Sequence, residues 1–216
     1  MHRFSVAFIA CCLLINSAAQ TGPLENRGQP ALARLESLTA LPADEWRVHE
    51  GSLLNAEDPA LDDSTWAPAK PRFRWRSGTA WFRRSVEVPE KLNGYDLTGA
   101  TLYFQFQVSG ETPPSTTIYV NGSRAAMGVD LEPIVLFQHA QPRQKVSIAI
   151  KVSASPGLGL SFRRVILSVR FSPQRPDPGL IREQVIAAQA ILQAIPENQS
   201  ANLERIQSAV AAIDVS

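Results

Sequence analysis

From Trp46 to Phe171 apolar residues recur at every second position, and a period of two leaves few folds open to the chain. Across residues 101–108, Leu102, Phe104, Phe106 and Val108 fall on one face and Thr101, Tyr103, Gln105 and Gln107 on the other. Val146, Ile148, Ile150 and Val152 repeat the alternation, as do Val165, Leu167, Val169 and Phe171 against Arg164, Ser168 and Arg170. Side chains of a strand point alternately to its two faces, so these runs describe strands with one face buried and one wet, the antiparallel case. Turn chemistry separates them. Asn93-Gly94, Ser109-Gly110, Pro113-Pro114, Asn121-Gly122 and Pro156-Gly157 each supply a positive φ or a fixed one. Of these, Asn121-Gly122 is the strongest hairpin signal. Short strands joined by such turns, with no helix between them, predict a mainly β fold, a jelly-roll sandwich over residues 46–172.

The flanks read differently. Residues 1–19 open with Met1-His2-Arg3, continue as an apolar run from Phe4 to Ile15 and end on Ser17-Ala18-Ala19. That is the form of a secretory signal peptide, too short to be a membrane span. The chain is therefore expected to be secreted or periplasmic, in a bacterium, with no membrane contact after cleavage. Both cysteines, Cys11 and Cys12, lie inside this segment, so the mature chain relies on packing rather than disulfides. Loss of Arg3 takes Lys+Arg from 21 to 20, against Asp+Glu 20. A neutral, exported protein is a poor match for nucleic acid or anionic lipid.

Residues 20–45 read as a polar lead, disordered over 20–28, with a short helix from Pro30 to Leu41 whose edge is Leu32, Leu35 and Leu38. Residues 173–216 read as two amphipathic helices. Asp177 caps the first, with Pro178 in its first turn, and Ile181, Val185, Ala188, Leu192 and Ile195 form its stripe before Pro196 closes it. Leu203, Ile206, Val210 and Ile213 form the second stripe. Two such stripes need a partner surface, and the expectation is a linker leading toward a catalytic domain beyond Ser216.

Candidate site residues are few. In the strand around Trp81-Phe82-Arg83-Arg84, Arg84 shares the inward parity of Phe82, Val86 and Val88, so it is expected to be buried and paired, with a loop acid or carbonyls. Trp81 and Arg83 lie on the opposite face. Together with Trp75 they are the candidate sugar-facing residues, the alternative for the aromatics being that they are packing plates. Arg72-Phe73-Arg74-Trp75-Arg76 interleaves charge with aromatics, but the neutral balance favours a strand with a solvated arginine face over a nucleic-acid groove. Asp62-Asp63-Ser64-Thr65-Trp66 reads as a turn whose tryptophan anchors the sheet edge, lacking the alternating ligands of a calcium loop. His49 and His139 belong to no metal-ligand spacing. Glu57-Asp58, Asp62-Asp63 and Asp130 with Glu132 are the acid pairs in loop-like segments, and spacing alone brings no two of them together across a cleft. No catalytic, cofactor or metal residue is assigned.

The order of these pieces resembles the N-terminal domain of bacterial α-mannosidase-like enzymes of glycoside hydrolase family 38. The resemblance runs from about Leu35 to Ile213. It is carried by Trp46-Arg47-Val48-His49-Glu50-Gly51, by Asp58-Pro59-Ala60-Leu61-Asp62-Asp63-Ser64, and by Trp81-Phe82-Arg83-Arg84. Leu92 to Ala100, Tyr119-Val120-Asn121-Gly122, Gly128 to Phe137 and Arg175-Pro176-Asp177-Pro178 complete it. It implies a galactose-binding-like jelly roll followed by helices that lead into a catalytic barrel, which would be the partner of this chain, with glycans as a possible ligand. The zinc ligands and the aspartate nucleophile of that family follow the helices, in motifs that include a His-Ile-Asp segment. Ala212-Ile213-Asp214 lacks the histidine, so nothing catalytic carries over and zinc is expected only in the parent's catalytic domain. The function implied is a non-catalytic accessory domain of an enzyme that hydrolyses α-mannosides. A free-standing secreted carbohydrate-binding module is the alternative.

Overall fold

The computed structural model describes residues 22–212 apart from 44, 77, 173 and 195–198. The signal segment, residues 1–19, and Ile195, Pro196 and Ile213 of the helical stripes lie outside the described residues. The chain opens with helix α1 (Gly22–Ser37) and strands β1 (Ala40–Leu41), β2 (Trp46–Glu50), β3 (Ala67–Ala69) and β4 (Arg74–Trp75). It continues with β5 (Thr79–Glu87), β6 (Lys91–Leu92), β7 (Tyr95–Asp96), β8 (Thr101–Gly110) and β9 (Ser115–Val120). Strands β10 (Ser123–Gly128), β11 (Ile134–Phe137), β12 (Lys145–Ser153) and β13 (Leu160–Arg170) follow, then helices α2 (Pro178–Ala194) and α3 (Gln199–Ala211).

The strands form two facing antiparallel sheets and a separate two-stranded hairpin, β6-β7. One has the order β1-β13-β8-β11, with β4 also pairing β13; the other has the order β10-β9-β12-β5-β2-β3. Their inner faces are the alternating runs. Leu102, Phe104 and Phe106 of β8 and Leu167 and Val169 of β13 meet Phe82 and Val86 of β5 and Ile148 and Ile150 of β12, all buried. Phe82, Phe106 and Phe162 form an aromatic knot with centroids 5.1 to 5.5 Å apart, in the tilted and offset geometries that aromatic pairs favour. The fold is mainly β, a sandwich, as the periodicity implies.

The lead segment differs from expectation. The described helix covers residues 22–28 of the stretch read as disordered and stops at Ser37, short of Leu41. Leu41 instead lies in β1, paired with Leu167 of β13. The reason is tertiary. Helix α1 packs against α2 and α3, and packing of this kind contributes more to a helix than its own propensity, even with Pro30 inside it. Leu35 of α1 is buried, Leu38 just beyond it enters the sandwich core, and Arg182 of α2 meets Glu36 at 3.3 Å. Asp177 caps α2: its Oδ1 accepts from the N–H groups of Gly179 at 2.8 Å and Leu180 at 3.0 Å, while its Oδ2 accepts from Phe171 N–H at 2.9 Å. The cap thereby ties α2 to the end of β13. Arg175 lies over Tyr95 and Phe171, and closes the same corner by donating to the carbonyls of Asp96 and Thr98.

Candidate functional site

Strand β5 runs through the middle of its sheet, and its outward residues are Trp81 and Arg83. An outward residue is ordinarily wet. Here the segment 51–66, between β2 and β3, folds back over this face and makes a second small core from Ala56, Trp66, Trp81 and Ala149, with Leu53, Leu61 and Tyr119 packed around it. Arg83 holds the segment down. Its Nε donates to Asp63 Oδ2 at 2.9 Å, and its Nη1 donates to the carbonyls of Ala56 at 2.6 Å and Asp58 at 2.8 Å. Its Nη2 reaches the Leu61 carbonyl at 3.3 Å, and the guanidinium lies over the Trp66 ring at 5.9 Å. Charge-assisted bonds to four acceptors satisfy a cation that is 3% exposed.

The segment is shaped for this by its own polar residues. Asp58 Oδ1 accepts from Ala60 N–H and Asp62 Oδ1 from Ser64 N–H, each at 2.9 Å. The Ser64 bonds, first from its N–H and then from its side chain, hold the Asp62 carboxyl below the usual carboxylate range. His49 lies beneath, its ring 5.3 Å from that of Trp66. At the far end, Gly122 in the β9–β10 turn adopts φ +79°, and a Cβ there would stand 3.1 Å from Pro59 Cδ. The Asn-Gly turn is thus both a hairpin and a close contact for the segment.

The burial pattern corrects the reading of Arg83 as a residue on an open face. Arg83, on the outward face, is the more deeply buried of the two and makes an ion pair with Asp63; Arg84 is half-buried and paired as expected, donating to the Pro42 carbonyl at 2.7 Å. Parity identifies a residue's face correctly, but not what covers it. The three candidate sugar-facing residues fare alike. Trp75, Trp81 and Arg83 are each 3% exposed, so none presents a ring face or an open guanidinium to a ligand. They are not brought together either: Trp75 joins the main core through β4, in one sheet, while Trp81 and Arg83 sit under the segment on the other.

Two clefts lie around Arg163 and have charged residues in their walls. One, of about 290 Å³, is lined by Gln105, Gln107, Thr116, Asp130, Glu132 and Arg163 among others. The other, of about 700 Å³, holds Arg74, Trp75, Arg76, Ser109, Glu111 and Arg163. Asp130 and Glu132 therefore share a cleft, which their sequence spacing leaves open. Arg163 borders both clefts because of a β-bulge: Phe162 pairs with Val108 and Arg164 with Gln107, leaving Arg163 as the extra residue. No sequence signal marks it. Among the described residues no three His, Cys, Asp or Glu side chains are grouped to hold a metal ion, and no helix is long and apolar enough to cross a membrane.

No protein-family model matches the chain, and no curated protein matches it. Among solved structures it is similar to a β-glucuronidase from Bacteroides uniformis, with 20% identity over 61% of this chain and 18% of that one, at a TM-score of 0.48. It is also similar to a glycosyl hydrolase family 2 member from Bacteroides cellulosilyticus (17% identity, 62% and 21% covered, TM-score 0.49) and to a β-glycosidase from Bacteroides vulgatus (18%, 61% and 20%, TM-score 0.45). The chain spans about a fifth of the length of these structures. These neighbours correct the resemblance to family 38 α-mannosidases, since they are β-glycosidases of family 2 type. The physical reason is visible in the geometry. Asp62-Asp63-Ser64-Thr65-Trp66, Trp81-Phe82-Arg83-Arg84 and Asn121-Gly122 form one structural clamp, which marks a way of covering a sheet and not a reaction. Zinc in an adjoining catalytic domain was implied by that resemblance alone and is not carried further.

Proposed function

We propose that this chain is a non-catalytic accessory domain of an exported glycoside hydrolase, a sandwich that braces a catalytic domain and docks through its helices. The observation that carries the accessory role is an apolar groove of about 1140 Å³ along α2 and α3, lined by Ala188, Ile191, Ala201, Ile206 and Ala209 among others. Helix α1 covers only part of the stripes, and Ile191 remains 61% exposed, with Leu180 and Ile186 also exposed on α2. A module that works alone in water keeps such surface small, whereas one that packs on a larger body leaves it for the contact. The hydrolase class comes from the sandwich pieces shared with domains attached to glycoside hydrolases and from the descriptions of the solved neighbours. The export comes from residues 1–19.

The test is a turnover assay. The purified chain, offered a panel of aryl α- and β-glycosides, is expected to release no more aglycone than buffer does. Hydrolysis that scales with protein concentration and follows the chain through successive purification steps overturns the accessory reading.

A further inference from the structure

We propose that the outer corner where β4, β13 and β8 meet binds the anionic group of an acidic saccharide. Arg74 of β4 pairs in register with Ser161 of β13, which pairs with Ser109 of β8. Residues directly opposite across strands bring their Cβ atoms to about 5 Å, so one guanidinium and two hydroxyls form a row on one face. The bulge sets Arg163 beside that row, and Arg76, two residues after Arg74, lines the same cleft. The cleft they share holds three arginines and one acid, Glu111.

No side chain of Arg74, Arg76 or Arg163 has a hydrogen-bond or ion-pair partner among the described residues. Trp75 forms part of the wall, 3% exposed, and its indole N–H is buried with no acceptor. A cleft with three unneutralised guanidinium forks is complementary to a carboxylate or a sulfate ester, which accept in pairs. Arg163 also borders the smaller cleft, where Gln105, Gln107, Asp130 and Glu132 offer donors and acceptors suited to sugar hydroxyls. The two clefts make one track, with an anion-binding end and a hydroxyl-binding end. That asymmetry favours an acidic saccharide over a nucleic acid, whose evenly spaced phosphates would run into Asp130 and Glu132.

The inference does not rest on the accessory role, which is read by turnover, whereas this one is read by binding. Isothermal titration of the purified chain with trigalacturonate, a sulfated cellotriose, neutral cellotriose and a short single-stranded DNA tests it. Saturable binding of either anionic trisaccharide is expected, weakening as salt is raised, with none for neutral cellotriose. Whichever anionic probe binds distinguishes carboxylate from sulfate. Arg74→Gln and Arg163→Gln, both at exposed positions, should each weaken binding by about ten-fold. Arg143→Gln, at an exposed arginine already paired with Glu90, should leave binding unchanged. Circular dichroism and melting establish that the variants are folded. Four results overturn the proposal: no binding of either anionic sugar, equal binding of the neutral one, DNA binding as tight as sugar binding, or full binding by folded Arg74→Gln and Arg163→Gln.

Discussion

Arg83 and Arg163 both stand off the core on central strands of their sheets, yet one is sealed against four acceptors while the other is exposed with no partner among the described residues. The difference lies in what each sheet does with its outer face. The sheet of β5 is covered by residues 51–66, which turn an outward position into a second core and make its arginine part of the scaffold. The sheet of β13 has no such cover over the β4–β8 corner, and its arginines line clefts instead. One residue type thus serves as a structural strut where three carbonyls and a carboxylate converge, and as a surface cation where they do not. Burial with complete pairing is the sign of the strut.

The largest effect expected follows from that contrast. Arg83→Gln removes the charge and leaves Asp63 and three carbonyls without their donor, which should cost about 3 kcal/mol or more of folding stability. Urea unfolding measures it as a lower midpoint at unchanged slope. Amide exchange should quicken over residues 55–66 before the sheets are affected. A loss under about 1 kcal/mol would mean that the segment holds itself in place and Arg83 only accompanies it.

Gly122→Ala addresses the same cover from its other edge. The substitution forces a Cβ into the left-handed region at φ +79° and sets it 3.1 Å from Pro59. Strain and crowding together should cost about 1–2 kcal/mol, again read from the urea midpoint. A neutral result would show that the turn and the covering segment are energetically separate.

Much of this molecule can be read from its sequence because alternation reports directly on which face of a strand is inward. Leu102, Phe104 and Phe106, like Ile148 and Ile150, are buried where their parity puts them. The same rule says nothing of the burial of Arg83, because that depends on a segment some twenty residues earlier in the chain, and periodicity carries no information about cover from a distance. Asp63 and Trp66 hint at it only once they are seen to touch Arg83. The first half of helix α1, before Pro30, was hidden for a related reason. Gly22, Pro23, Gly28 and Pro30 argue against helix on propensity, and contact with α2 and α3 outweighs them. The arginine corner was hidden because a bulge leaves no mark in a run such as Phe162-Arg163-Arg164-Val165. Only the register exposes it.

The uncovered sheet supplies the matching control. Arg74→Gln and Arg163→Gln each remove an exposed, unpaired cation and should change stability by less than about 0.5 kcal/mol. Thermal melts of these variants beside Arg83→Gln put strut and surface cation on one scale. A loss at Arg163 as large as that at Arg83 would show that the bulge is held by its side chain, and the contrast between the faces would fail.

The smallest effect concerns acid. Asp62, on the covering segment, and Asp96, in the β7 turn, each accept the N–H of the residue two positions on, Ser64 at 2.9 Å and Thr98 at 2.8 Å. Those backbone bonds, then the Ser64 and Thr98 side chains, hold both carboxyls below the usual carboxylate range, with Arg175 and Lys91 adding to the effect at Asp96. A carboxyl whose pKa is lower folded than unfolded contributes its full stabilisation above the unfolded value and loses it as pH falls through the folded one. Stability from these two groups should therefore stay level from neutral pH down to the ordinary carboxylate range, and decline only in stronger acid. Both side chains are exposed, so the change is local: the Ser64 and Thr98 amide resonances should follow carboxyl titrations that lie to the acid side of the ordinary value. Titration of Asp62 at or above the ordinary value would mean that the Ser64 bonds do not hold in solution, and that Arg83 alone keeps the segment closed.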